Sequence, residues 1–121
     1  MGVKSYEDLV VWQYGHAVTL EVYRWTKAFP PEEKYSMVQQ MRRAASSVPA
    51  NIVEGFARRK AHDKARLYNI AEASAEEVSY WIRLASELSY GDPVGLRDKV
   101  KSTVKMLRRL VDVTLSNPSS D

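Results

Sequence analysis

From Tyr6 onward, apolar residues recur every three or four positions, and nowhere do they alternate with polar ones over a strand's length. Spacing of three and four puts side chains on one face of an α-helix. Four such stretches are separated by breakers. The first is predicted over 6–29, opened by Ser5 and Asp8 in capping-box spacing and stopped by Pro30 and Pro31. The second covers about 32–57, with Glu32 and Glu33 in its first turn, where the positive helix end favours acids. "RRKAHDK" turns the chain, and Asp63 caps a third helix over about 63–90 that "GDP" closes. The fourth spans about 94–115, and 116–121 reads as a flexible tail. Short connections make successive helices antiparallel neighbours. The expected fold is all-α: one domain, 1–121, an antiparallel up-down-up-down four-helix bundle.

The stripes define the core. The second helix offers Val38, Met41, Ala45, Val48, Ile52 and Phe56. The third offers Leu67, Ile70, Ala71, Ser74, Val78, Trp81, Ala85 and Leu88; the fourth offers Leu96, Val100, Val104, Leu107 and Val111. The first helix is apolar on two sides. Val11, Tyr14, Val18, Val22, Trp25 and Phe29 form one stripe; Leu9, Trp12, His16, Leu20 and Tyr23 form another nearly opposite. One stripe can enter the bundle. The other stays outside, and a contiguous apolar patch marks a protein contact. Leu9, Trp12, His16, Leu20 and Tyr23 are therefore the expected interface of a homo-oligomer, with His16 a packing residue.

"SSVPANIVEG" (46–55) places a proline inside the second helix. Pro49 cannot donate to the Ala45 carbonyl and crowds it, so the helix must end or bend. The apolar stripe keeps phase across Pro49, which predicts one helix with a proline kink. Ser46 and Ser47 are the expected partners of the freed backbone groups. Gln40, Ser47, Asn51, Glu54 and Arg58 fall on the opposite side. Asn51, Glu54 and Arg58 are expected to form a polar contact surface for a subunit or ligand, with Glu54 and Arg58 paired at i,i+4. Gly55 would let another helix come close.

Composition narrows the chemistry. The chain has 121 residues, 45% apolar and 27% charged, and no cysteine. That excludes disulfides, thiolate zinc and a cysteine nucleophile. No apolar run approaches the ~20 residues that span a bilayer, and no leader pattern opens the chain, so a cytoplasmic protein with no membrane partner is expected. A di-iron bundle needs Glu-x-x-His pairs, but Gln13 and Arg59 stand three before His16 and His62. Zinc-protease, phosphate-loop and nucleophile-elbow motifs are absent. Glu72 and Glu76 project to the polar side of the third helix, while Glu77 edges its apolar stripe. No cofactor, metal or catalytic residue is expected. Net charge is +3, unevenly spread: Arg58, Arg59, Lys60, Lys64 and Arg66 cluster near the second turn, and Lys101, Lys105 and Arg108 stripe the fourth helix. These eight are the candidates for phosphate contacts with RNA or DNA. A protein-interaction scaffold without nucleic acid is the competing reading.

Three stretches, "YEDLVVWQ", "FPPEEKYSMVQQMRRAASSVPANIVEG" and "YNIAEASAEEVSYWIRLASELSY", resemble the 23S rRNA intervening-sequence proteins, a bacterial family. The likeness covers about 6–90 and is most specific in "SVPANIVEG"; the fourth helix matches only in general character. Ala73 stands where the family often has glycine. The resemblance implies a four-helix bundle and a ring-shaped homo-oligomer, with the pentamer as the known arrangement. The chain is also similar to accessory proteins of diversity-generating retroelements, which are proposed to bind nucleic acid and a reverse transcriptase. An adaptor or nucleic-acid-binding accessory role is thereby implied. The family supplies no catalytic residues to carry over.

Overall fold

The computed structural model describes residues 2–116; the expected tail lies, from residue 117 on, outside the described residues. Four helices form: α1 Val10–Thr26, α2 Met37–Ala57, α3 Ala61–Glu87 and α4 Val94–Leu115. No strand occurs among the described residues. Each helix packs against its neighbour in sequence, and α1 also meets α4, which closes a four-helix bundle. Along α2 and α3, Arg43 meets Glu77, Ser47 meets Ser74, and Gly55 meets Tyr68. Residue numbers thus rise on one helix as they fall on the other.

The helix ends differ from expectation for local reasons. Asp8 does accept the backbone N–H groups of Lys4 (2.9 Å) and Ser5 (3.2 Å), which hold its carboxyl below the usual range. It closes only a 3-10 turn, Tyr6–Asp8, because Leu9 is extended at φ −75°, ψ 123°. Helix α1 therefore starts at Val10. A second 3-10 turn, Pro31–Glu33, precedes a non-helical Ser36, so α2 starts at Met37 rather than near Glu32. Asp63 lies in the first turn of α3; Lys60 holds the cap position. At the other end of α3, Ser89 takes φ 66°, and Tyr90 N–H bonds the Ala85 carbonyl at 2.9 Å, a Schellman closure.

The core holds Val22, Met41, Val48, Ile52, Val78, Ile82, Val100 and Leu107, each essentially sealed from solvent. On α3 the expected stripe holds in Leu67, Ala71, Val78 and Ala85, which are buried, and fails at two positions. Ile70 and Leu88 are exposed, while Ala61, Ala65, Tyr68, Ala75 and Ile82 are buried. Alanines dominate that face because α3 packs closely on both neighbours, and small side chains permit close approach.

Helix α2 continues through Pro49. The Ala45 carbonyl, whose helical donor the proline removes, lies 3.0 Å from the Thr19 hydroxyl of α1. That hydroxyl also reaches the Gly15 carbonyl at 2.9 Å. The partner of the freed group is thus on the neighbouring helix, not Ser46 or Ser47. Ser46 bonds the Arg43 carbonyl instead, at 3.2 Å. Gly15 makes the approach feasible: a Cβ there would sit 3.1 Å from Val48 Cγ1. A Thr19→Val protein should lose about 1–2 kcal/mol, since a part-buried carbonyl then lacks a partner. Urea unfolding followed by circular dichroism checks this; unchanged stability would contradict it.

Candidate nucleic-acid and assembly surfaces

Helix α4 turns Val100, Val104 and Leu107 inward, which leaves Lys101, Lys105 and Arg108 on its outer face. They line a groove of about 200 Å³ against Glu76 and Ser79 of α3. Arg66 lies further along α3 on a shallow cavity that Glu76 also lines. The structure therefore joins Arg66, Lys101, Lys105 and Arg108 on one α3–α4 face.

Arg108 is not a free cation. Its Nε donates to Glu72 at 3.1 Å, and an Nη lies 3.9 Å from Glu76. Glu72, expected on the polar side, is only 17% exposed in its side chain because it is tucked beneath that arginine. Lys101 and Lys105 are exposed and belong to no ion pair among the described residues.

The turn between α2 and α3 presents Arg58, Arg59 and Lys60 to solvent. Lys64 does not join them. Its ammonium donates to the Phe56 carbonyl at 2.9 Å and the Gly55 carbonyl at 3.4 Å, closing the end of α2. Burial there lowers its pKa. A lysine on a helix C-terminus satisfies orphan carbonyls and the negative helix end together.

The polar stripe of α2 splits in two. Ser47 faces α3, and Asn51, half-buried, folds back on Ser47. The Ser47 and Ser74 hydroxyls meet at 2.9 Å, and the Asn51 amide donates to the Ser47 carbonyl at 2.8 Å and its hydroxyl at 2.9 Å. Gln40, Glu54 and Arg58 remain outside, and Glu54 and Arg58 form no ion pair with each other. Glu77 is held by Arg43 at 3.3 Å and by the Trp81 indole N–H at 3.0 Å. Gly55 meets α3 of its own chain: a Cβ would lie 2.6 Å from the Tyr68 ring.

On α1 the second stripe divides: Leu9 and Trp12 pack against the edge of the core, whereas His16, Leu20 and Tyr23 stay outside the bundle. Leu20 and Tyr23 are each 41% exposed, His16 is exposed, and Leu9 and Trp12 are half-buried. Trp12 stacks on His16 at 4.9 Å and takes the Tyr6 edge at 5.0 Å. A row of exposed apolar groups thus runs along α1.

Among the described residues, no group of three or more His, Asp or Glu side chains is arranged to hold a metal ion. No helix among them is long and apolar enough to cross a membrane. The family model for the 23S rRNA-intervening sequence protein matches residues 7–111. The chain belongs to this family. The family match extends through most of α4, beyond the stretches that carry the likeness in the sequence. A solved structure from Bacteroides thetaiotaomicron VPI-5482, described as a protein of unknown function from the S23 ribosomal protein family, superposes with a TM-score of 0.78. It shares 23% identity over 85% of this chain and 96% of its own, which establishes the shared fold. No curated protein matches the chain.

Proposed function

We propose that this chain is a non-enzymatic, homo-oligomeric accessory protein that holds RNA or DNA by its phosphates. The observation that carries the reading is the α3–α4 face, where Lys101 and Lys105 stand exposed and unpaired beside Arg108, with Arg66 further along. Phosphate contacts need cations at the surface and no base-reading geometry. Four cations on one subunit make a weak site. A ring of subunits, built through Leu9, Trp12, His16, Leu20 and Tyr23, repeats the site and sums its field. The resemblance supports a pentameric ring, and the lack of cysteine fits a cytoplasmic setting. Arg58, Arg59 and Lys60 extend the basic surface around the α2–α3 turn, while Lys64 is left out of it.

The Arg108–Glu72–Glu76 cluster favours a second reading, a protein-interaction scaffold, because it neutralises one cation of the face. Fluorescence anisotropy with duplex DNA and structured RNA separates the two. Wild-type protein should bind at low salt. The double variant Lys101→Glu, Lys105→Glu should bind at least about tenfold more weakly, since each reversed lysine removes a phosphate contact and adds repulsion. No binding by the wild type at low salt would leave the scaffold reading, and equal binding by both proteins would move the phosphate contacts off the α3–α4 face.

A further inference from the structure

Three cations converge where the chain passes from α1 to α2, at a corner the nucleic-acid reading does not use. A cavity of about 280 Å³ is lined there by Lys27, Lys34 and Arg42 with buried Thr26, Phe29 and Val38. No carboxylate lines it. The other described cavities with more than one charged residue all include a glutamate: Glu72 and Glu76 on the α3 face, Glu76 in the α3–α4 groove, and Glu21 beside α4. Among the described residues, Lys27, Lys34 and Arg42 belong to no ion pair.

Neither acid of the Pro31–Glu33 turn, Glu32 or Glu33, lines the cavity, and Glu33 is engaged elsewhere. Glu33 accepts the Ser36 and Tyr90 hydroxyls, each at 2.8 Å. The carbonyl end of α1 supplies about half an elementary negative charge. That leaves most of three unit charges uncompensated.

Arg42 is pre-oriented by neutral groups. Its Nε donates to the Thr26 hydroxyl at 2.9 Å, and an Nη donates to the Tyr23 carbonyl at 3.2 Å. Its guanidinium lies 4.6 Å over the Tyr23 ring. The Thr26 hydroxyl in turn donates to the Val22 carbonyl at 2.7 Å. These contacts fix the guanidinium plane and leave N–H groups without an acidic partner. A fixed, uncompensated guanidinium fork matches phosphate or carboxylate oxygens.

We propose that this corner binds a small phosphate monoester. Three positive charges suit a dianion better than a single carboxylate. Phe29 and Val38 give an apolar wall for the ester's body. At about 280 Å³ the cavity lies near the lower end of ligand pockets, which run from roughly 300 Å³ upward, so the body is small.

Phenyl phosphate is the probe, with benzoate as a monoanion of similar body, read by amide chemical shifts across the chain and by the Arg42 Nε–H signal. Phenyl phosphate should give saturable shifts confined to about residues 23–42, and benzoate should bind more weakly. Lys27→Gln with Lys34→Gln, both on exposed side chains, should weaken phenyl phosphate at least about tenfold while leaving the fold's spectrum intact. Arg42→Lys should weaken it too, since the charge stays and the fork goes. Lys101→Glu with Lys105→Glu should leave it unchanged. Shifts that fail to saturate, shifts spread equally over Lys101 and Lys105, or equal binding of benzoate would overturn the proposal.

Discussion

The Trp12→Glu protein should sediment as a single subunit where the parent sediments as an assembly. Trp12 sits near the start of the outer α1 stripe, between Leu9 and His16, with its ring stacked on the imidazole at 4.9 Å. A carboxylate there would be buried without a partner in any contact made through this stripe, which costs several kcal/mol. In the isolated chain the same carboxylate reaches water, because Trp12 is only half-buried. Trp12 also packs against the core, so circular dichroism must show the helices intact before the mass is read as a lost contact. Leu20→Glu gives an independent check at a position already 41% exposed. An unchanged mass for both variants would place the subunit contact elsewhere.

Gly55→Val should destabilise the bundle by about 2–3 kcal/mol, toward the upper end of the cost of overpacking. A Cβ at Gly55 meets two Tyr68 ring carbons at 2.6 and 2.8 Å and the Lys64 carbonyl at 3.3 Å. Tyr68 is 3% exposed, and the Lys64 contact is backbone, so neither can move aside without shifting α3. The gain in helix propensity from replacing glycine by valine is under about 1 kcal/mol and does not offset the clash. Burial already raises the Tyr68 pKa, and forcing the helices apart would expose that ring to solvent. Thermal unfolding measures the loss; equal stability would mean that α2 and α3 are not in close contact at this point.

The helices were legible because their signals are local. Three-and-four spacing and the Pro30–Pro31 and "GDP" breakers need only neighbouring residues. The ends were harder. A proline pair or an acid cluster announces that a helix starts nearby, but the backbone of Leu9 and Ser36 decides where. Contacts between helices were less legible still. The donor for the carbonyl freed by Pro49 is Thr19, 26 residues earlier. The acids holding Arg108 lie on another helix, 36 residues away for Glu72. Helical projection placed Glu72 and Ser47 on solvent faces because it treats each helix alone, whereas a seam between two helices buries polar side chains that find partners across it, Arg108 for Glu72 and Ser74 for Ser47. The α3 stripe misled at two positions. Large apolar residues drew attention to Ile70 and Leu88, while the buried face was written in alanines. The corner cations Lys27, Lys34 and Arg42 are scattered in sequence, and only the turn between α1 and α2 gathers them.

The most direct test of assembly and phosphate binding together is the slope of log affinity against log salt for wild-type protein on duplex DNA. Each phosphate neutralised contributes about −0.9 to that slope. Arg66, Lys101, Lys105 and Arg108 of a single subunit, with Arg58, Arg59 and Lys60 of the α2–α3 turn, account for no more than about −6.3. A ring that presents several copies of the face predicts a steeper slope. A flat slope, or no binding at low salt, would contradict the account.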